Sequence, residues 1–206
     1  CGRPVLPPAR VPDLVGPDGA FLDDLAAAGV RFFFRPGARV QLEAELTAQF
    51  EAFAATGLPL DHVDAHNHIH VHPTVLGLML KVGRRFGVRA VRLPREPEGA
   101  GAWLIAPWIG LMRARLRAAG LVTNDAILGM SQSGHLDEGA VLALLDRLPP
   151  TGLTELYFHP ASRRTPALVA AMPDYDHLGE LAALLSPRVR ARLEQLGVTP
   201  TRYGVL

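Results

Sequence analysis

The stretch LDHVDAHNHIHVHP, residues 60–73, decides how this sequence is interpreted, because it holds five of the eight histidines in the chain. From residue 62 to residue 72, every even position is a histidine except Asp64, and every odd position is apolar except Asn67. Successive side chains of a β-strand point to opposite faces, so this alternation predicts a strand over residues 62–70 with one polar and one apolar face. The polar face is rich in imidazole, the commonest metal ligand among side chains.

One polar face does not amount to one metal site. Neighbours on the same face of a strand are ~6.6 Å apart at a rise of ~3.3 Å per residue, whereas a zinc–nitrogen bond is only ~2.0–2.1 Å long. At most two adjacent histidines could bind one ion, so most of the row would contact substrate or orient the ligands. A histidine-rich strand that merely chelates metal at the surface is the alternative that the residues leave open.

Composition narrows the class of protein. The chain has 206 residues, of which 49% are hydrophobic and 20% are charged, and this indicates one globular domain with a substantial core. The net charge of +1 does not favour nucleic acid as a partner. The single cysteine excludes an intrachain disulfide, and no apolar run approaches the ~18 residues of a transmembrane helix.

The rest of the chain alternates between the patterns of helices and strands. Helices are predicted over residues 39–56, 74–86, 103–119, 138–148 and 187–196, and strands over 88–94, 120–128, 153–159 and 201–206. This alternation predicts βα units around a parallel sheet, either doubly wound or closed into a barrel. Catalytic groups of both architectures lie at the carboxyl ends of the strands, and His159 is the last residue of its predicted strand.

Three segments resemble one family of enzymes. HVDAHNHIH at 62–70 resembles the Asp-x-His-x-His-x-His signature of the YdjC/ChbG-type carbohydrate deacetylases, and ELYFHPA at 155–161 resembles their later Glu…His-Pro motif. HLGELAALLSPRVRARLEQLGV at 177–198 resembles their C-terminal segment. Residues 121–161 look most like the branch associated with hopanoid biosynthesis, in which an N-acetylglucosamine headgroup of a hopanoid lipid is thought to be deacetylated.

The resemblance implies an α/β fold, a distorted (β/α) barrel, and a divalent metal, Mg²⁺ or Zn²⁺, with His66 as one ligand. The family's other two ligands and its catalytic base come from Asn-Ala-Asp-Asp-Phe-Gly and Gly-x-His motifs that residues 1–206 do not contain. We therefore expect residues 1–206 to be a single YdjC-like domain, the C-terminal three-quarters of the family's fold, with the first βα units missing. We also expect these residues alone to have no ordered metal site of the family's type and negligible deacetylase activity.

The resemblance also assigns roles around the metal. His159 is the candidate acid that protonates the leaving amine, or the residue that orients this leaving group, with a structural histidine as the alternative. Asp64 is expected to fix the tautomer of a ligand histidine, or else to pair with a nearby arginine. His68 and His70 are expected to contact the substrate or the metal-bound water, or to be buried and hydrogen-bonded. Arg92 is expected to bind sugar hydroxyls, or else to form an internal ion pair.

The predicted function is metal-dependent N-deacetylation of a glycoconjugate that contains an N-acetylhexosamine, with a hopanoid headgroup as the specific expectation. The alternatives are another metal-dependent hydrolase on the same scaffold, such as an amidohydrolase or phosphoesterase, and a catalytically inactive fragment. The expected partner is an N-acetylated sugar or glycolipid, not nucleic acid, and a homodimer is left open. We expect a cytoplasmic protein, with peripheral association with the inner membrane left open.

Overall fold

The computed structural model of the chain describes residues 2–96 and 102–206. By its internal contacts the chain divides into two compact units, Cys1–Arg92 and Leu93–Leu206. The predicted α/β fold is confirmed: the chain is rich in helix and contains a small parallel sheet. The closed barrel and the single domain stay predictions. None of the helices in the described part of the chain combines the length and the apolar character that crossing a bilayer demands.

The first unit is built from three helices, α1 (Leu25–Phe34), α2 (Pro36–Ala54) and α3 (Pro73–Arg85). Buried apolar side chains of all three helices and of the preceding loop form its core; they include Leu14, Phe32, Leu42 and Val75. Asp24 caps α1 by accepting a hydrogen bond from the backbone N–H of Ala27 at 2.9 Å. The sequence analysis did not predict α1, in which Gly29 interrupts the apolar run beside the ring of His72.

The prediction of a strand over residues 62–70 is wrong. Only Val63 pairs, in a parallel bridge with Val91, and His66–Val71 form a 3-10 helix instead. Asn67 and His68 have φ angles of 49° and 53°, in the left-handed region that asparagine and histidine adopt more readily than most residues. Two such residues destroy the period of two, so the even-numbered side chains do not share one face.

The second unit contains five helices among its described residues and a two-stranded parallel sheet. The helices are α4 (Ala102–Ala118), α5 (Glu138–Leu145), α6 (Pro166–Ala171), α7 (His177–Leu185) and α8 (Pro187–Gln195). Strand β1 (Ala126–Leu128) pairs with β2 (Thr154–Leu156), with Ile127 opposite Glu155. Ser186 caps α8 from its hydroxyl, as its place before Pro187 predicts.

The strands are shorter than predicted, and the side chain of Asn124 accounts for part of the difference. Asn124 is fully buried. Its Oδ1 accepts a hydrogen bond from the N–H of Leu93 at 2.7 Å, and its Nδ2 donates to the carbonyl oxygens of Leu93 and Ala126 at 2.8 and 2.9 Å. This side chain makes the bonds that the backbone of a longer strand would make, so β1 begins only at Ala126.

Two further predictions need correction. The predicted strand over residues 88–94 is reduced to isolated bridge residues at Ala90 and Val91, of which Val91 pairs with Val63. The predicted C-terminal strand over 201–206 is wrong, since Tyr203–Val205 form a 3-10 turn. The hydroxyl of Tyr203 instead donates a hydrogen bond to Oε2 of Glu155 at 2.8 Å, so a side chain fixes this end of the chain.

Candidate active site

In the first unit, Asp64 and Arg92 form an ion pair beside the histidine segment. Nη1 of Arg92 contacts Oδ2 of Asp64, and only 12% of the Arg92 side chain is exposed. The two residues approach because Val63 pairs with the segment around Val91: the N–H of Arg92 donates to the carbonyl of Val63 at 3.1 Å. The sequence analysis left open that Asp64 pairs with a nearby arginine. The structure contains this pair, and the arginine is Arg92.

His70 is the most deeply buried histidine of this segment, with no exposed surface. Its Nε2 lies 2.9 Å from the carbonyl oxygen of Arg92. A carbonyl oxygen only accepts hydrogen bonds, so Nε2 carries the proton and Nδ1 carries the lone pair. Nδ1 is buried and has no hydrogen-bond partner among the described residues. Desolvation lowers the pKa of His70 to about 4, so the imidazole is neutral at neutral pH.

His66 and His68 lie in the same 3-10 helix as His70. His66 is exposed, and the ring of His68 lies edge-on to the ring of His70 at a centroid distance of 6.2 Å. A neutral imidazole such as that of His70 suits a divalent metal chemically. However, no three histidine, cysteine or carboxylate side chains within residues 2–96 and 102–206 form a group that could hold an ion. The described residues therefore do not complete a three-ligand site.

In the second unit, His159 follows β2, three residues beyond the last residue of that strand. Its ring is half-buried between two tyrosines, with ring centroids 5.2 Å from Tyr157 and 5.0 Å from Tyr175 in edge-to-face contacts. Tyr175 is held in turn, since its hydroxyl lies 3.0 Å from Oγ of Ser133. The imidazole therefore lies among aromatic rings at the carboxyl end of a parallel strand. Active sites of α/β proteins are found at this end of the strands.

Two buried side chains of α7 hold the backbone of His159. Its N–H donates to Oε2 of Glu180, and Oε1 of the same carboxylate accepts from the N–H of Leu136 at 3.3 Å. On the other side, Nδ1 of His177 donates to the carbonyl of His159 at 2.5 Å. Glu180 and His177 are 0% and 1% exposed. Both polar groups of the His159 backbone are thus bound to buried polar side chains.

The sequence analysis did not single out His177 or Glu180 as individual residues. Their signal was a histidine and a glutamate three positions apart in HLGELAALL, an otherwise apolar stretch that follows the capping residue Asp176. Residues at i and i+3 share a helix face. Two polar residues on the face that a helix buries indicate bound partners, because such groups are costly to bury alone.

Comparison with known proteins gives the family. The family described as YdjC-like protein matches residues 1–195, and the chain belongs to that family. A carbohydrate deacetylase of Mus musculus is 34% identical over 229 residues, which cover 96% of this chain and 72% of the mouse protein. A carbohydrate deacetylase of Geobacillus stearothermophilus is 29% identical over 204 residues, covering 98% and 71%. A chitooligosaccharide deacetylase of Yersinia enterocolitica is 29% identical over 211 residues, covering 98% and 73%.

A solved structure supports the same fold. A protein of Enterococcus faecalis described as a cellobiose-phosphate cleavage protein superposes with a TM-score of 0.74 at 22% sequence identity. The match covers 98% of this chain and 72% of that one. At this identity the likeness defines the fold alone, and it agrees with the YdjC-like family.

Proposed function

We propose that this chain acts as a carbohydrate deacetylase that hydrolyses the acetamide of an N-acetylhexosamine. The predicted enzyme class is the one named for relatives as far apart as mouse and Geobacillus stearothermophilus. The observation that carries the proposal is the extent of this likeness: 34% identity across 96% of the chain. The chitooligosaccharide deacetylase among the relatives supports an N-acetylated sugar as the substrate.

In this proposal His159 is the acid that protonates the departing sugar amine. A histidine is the side chain best suited to exchange a proton near neutral pH. The edge-to-face contacts with Tyr157 and Tyr175 restrict the rotation of its ring, which is what a positioned proton donor requires. Substitution of His159 by glutamine should lower kcat by roughly 10²–10⁴-fold, the usual contribution of one general acid or base.

The proposal includes a divalent metal, Mg²⁺ or Zn²⁺, with His66 as one ligand. A bound metal would polarise the acetyl oxygen and lower the pKa of a water. His66 is exposed and available for ligation, while Asp64, His68, His70 and Arg92 orient that ligand or bind the sugar. His66→Ala should weaken binding of the metal, measured by calorimetry, whereas substitution of His62, which pairs with Asp61 at 2.9 Å, should not.

The test of the function is acetate release. The gene product, including any coding sequence that continues in frame ahead of Cys1, is incubated with N-acetylchitooligosaccharides, with and without a chelator. The 206-residue chain is assayed beside it, and we expect weaker activity there, because no three-ligand group occurs among its described residues. No acetate from the longer protein on any N-acetylated sugar would overturn the proposal.

The same assay distinguishes between N-acetylated substrates, and it distinguishes deacetylation from the hydrolysis of phosphate esters. A glycolipid with an N-acetylglucosamine headgroup, such as a hopanoid, is the specific substrate proposed, and it should be preferred over free chitooligosaccharide. The alternative is another metal-dependent hydrolase on the same scaffold, such as a phosphoesterase. Release of phosphate from sugar phosphates, without acetate from acetamides, would favour that alternative.

A further inference from the structure

We infer that Glu180 and His177 are positioning residues that fix the backbone of His159 for its part in the reaction. The inference rests on the proposed function, because it gives His159 the role of acid. Glu180 accepts the N–H of His159 and His177 donates to its carbonyl, so the two side chains hold this residue from both sides. Neither of them needs to contact the substrate to do so.

Glu180 does more than fill space in the core. A fully buried carboxylate is costly unless its oxygens are bonded. Its two oxygens bind two different loops, one at Leu136 and one at His159. The carboxylate therefore ties the loop that follows β1 to the segment that follows β2, and this fixes His159 relative to the sheet.

His177 contributes a donor in a defined tautomer. Its Nδ1 is protonated, since it faces the carbonyl of His159. Its Nε2 is buried and has no hydrogen-bond partner in the part of the chain that the structure describes. The carbonyl of His177 also accepts the N–H of Ala161 at 3.2 Å. The first residue of α7 is thus joined to the His159 segment at two points, one on each side of Pro160.

The experiment compares three variants in the full-length protein. Glu180→Gln keeps the shape of the side chain but presents an amide N–H₂ to one of the two backbone donors. His177→Leu removes the donor, whereas His177→Asn places an amide nitrogen where Nδ1 lies and should restore it. Asp146→Asn, which removes one partner of an exposed ion pair with Arg192, is the control.

Two readouts distinguish positioning from general stability. Kinetics should show kcat about 10- to 100-fold lower in Glu180→Gln and His177→Leu with little change in KM, because a displaced acid weakens the chemical step. His177→Asn should recover most of that loss. In ¹⁵N-labelled protein, hydrogen exchange of the His159 amide should accelerate at least about tenfold in Glu180→Gln, and the ring resonances of His159 should shift, while Asp146→Asn resembles the wild type.

The outcomes keep this inference separate from the proposed function. Unchanged kcat and unchanged His159 exchange in both Glu180→Gln and His177→Leu would overturn the inference and leave the function intact. An equal loss of kcat in His177→Asn and His177→Leu would also overturn it, because the restored donor would then be irrelevant. If the wild-type protein releases no acetate, the proposed function fails, and the exchange measurements still decide whether these side chains fix His159. If Glu180→Gln does not fold, the two His177 variants carry the test.

Discussion

His70 in the first unit and His177 in the second are both buried histidines that donate a hydrogen bond to a backbone carbonyl. His70 donates from Nε2 to Arg92, and His177 donates from Nδ1 to His159. In each ring the other nitrogen is buried without a hydrogen-bond partner among the described residues. The two histidines differ in local structure, since His70 lies in a 3-10 helix after two left-handed residues and His177 begins α7.

This comparison shows that the segment with the most histidines is not the one that binds the backbone of His159. His70 belongs to a run of five histidines that dominates the sequence, whereas His177 stands alone in an apolar helix. Yet it is His177, together with Glu180, that binds both backbone groups of the candidate acid.

The largest expected effect comes from filling the space beside Tyr175. Gly134 has φ +84°, and a Cβ there would lie 2.4 Å from the Tyr175 ring. Gly134→Ala should therefore lower the free energy of unfolding by roughly 3 kcal/mol or more, through backbone strain and overpacking. Gly120→Ala is the matched control: φ is +75° with nothing within 4 Å, so only the strain of about 1 kcal/mol applies. Equal losses in urea denaturation would contradict this account of the His159 surroundings.

The second prediction concerns the loss of stability at low pH. The folded pKa of His70, about 4, lies below its ordinary value of 6.5, so the unfolded chain takes up the proton first. The stabilisation from the neutral ring is complete above pH 6.5 and is lost as the pH falls towards 4. Between pH 7.5 and 4.5 this one group should cost about 2–3 kcal/mol of unfolding free energy. Urea denaturation at both pH values measures it. His70→Gln should show a smaller pH dependence by that amount, and an unchanged dependence would refute the assignment.

The third prediction uses amides to test which ring nitrogen each histidine employs. The amide nitrogen of asparagine occupies the place of Nδ1, and that of glutamine reaches the place of Nε2. His70→Gln should be more stable than His70→Asn, and His177→Asn should be more stable than His177→Gln, each by about 1 kcal/mol, the net value of one hydrogen bond. Thermal unfolding of the four variants gives the comparison. The same order at both positions would show that side-chain size, not the donor, decides.

Several elements followed from the sequence because local chemistry specifies them. The caps at Asp137 and Ser186 place a side-chain oxygen at the free N–H groups of α5 and α8. The strand with His159 at its carboxyl end was located, although it is only Thr154–Leu156. The alternation of strands and helices was sufficient for the α/β class.

The wrong strand predictions have a common physical origin. They depend on interactions that the spacing of polar and apolar residues along the sequence does not encode. Alternation of histidines over 62–70 satisfied the strand pattern, but positive φ at Asn67 and His68 is a backbone choice that the tertiary structure makes. Likewise Asn124 replaced strand pairing with side-chain bonds to Leu93, 31 residues away. The hydrogen bond from the N–H of His159 to Glu180 joins residues 21 positions apart, so it could not be inferred from spacing along one helix. What the sequence did carry was the presence of polar residues on a buried helix face.

The smallest expected effect distinguishes ion pairs in the two units. Asp64 pairs with Arg92, whose side chain is 12% exposed, whereas Asp146 pairs with Arg192, whose side chain is 36% exposed. Solvent screens the second pair more strongly, and Asp64 itself is partly exposed, so neither contribution is large. Asp64→Asn should cost about 1 kcal/mol and Asp146→Asn no more than about 0.5 kcal/mol. Double-mutant cycles with Arg92→Gln and Arg192→Gln, followed by urea denaturation at low and high salt, measure the coupling. Salt should weaken the Asp146 coupling proportionally more, and the reverse would mean that the Arg92 side chain is better solvated than its burial indicates.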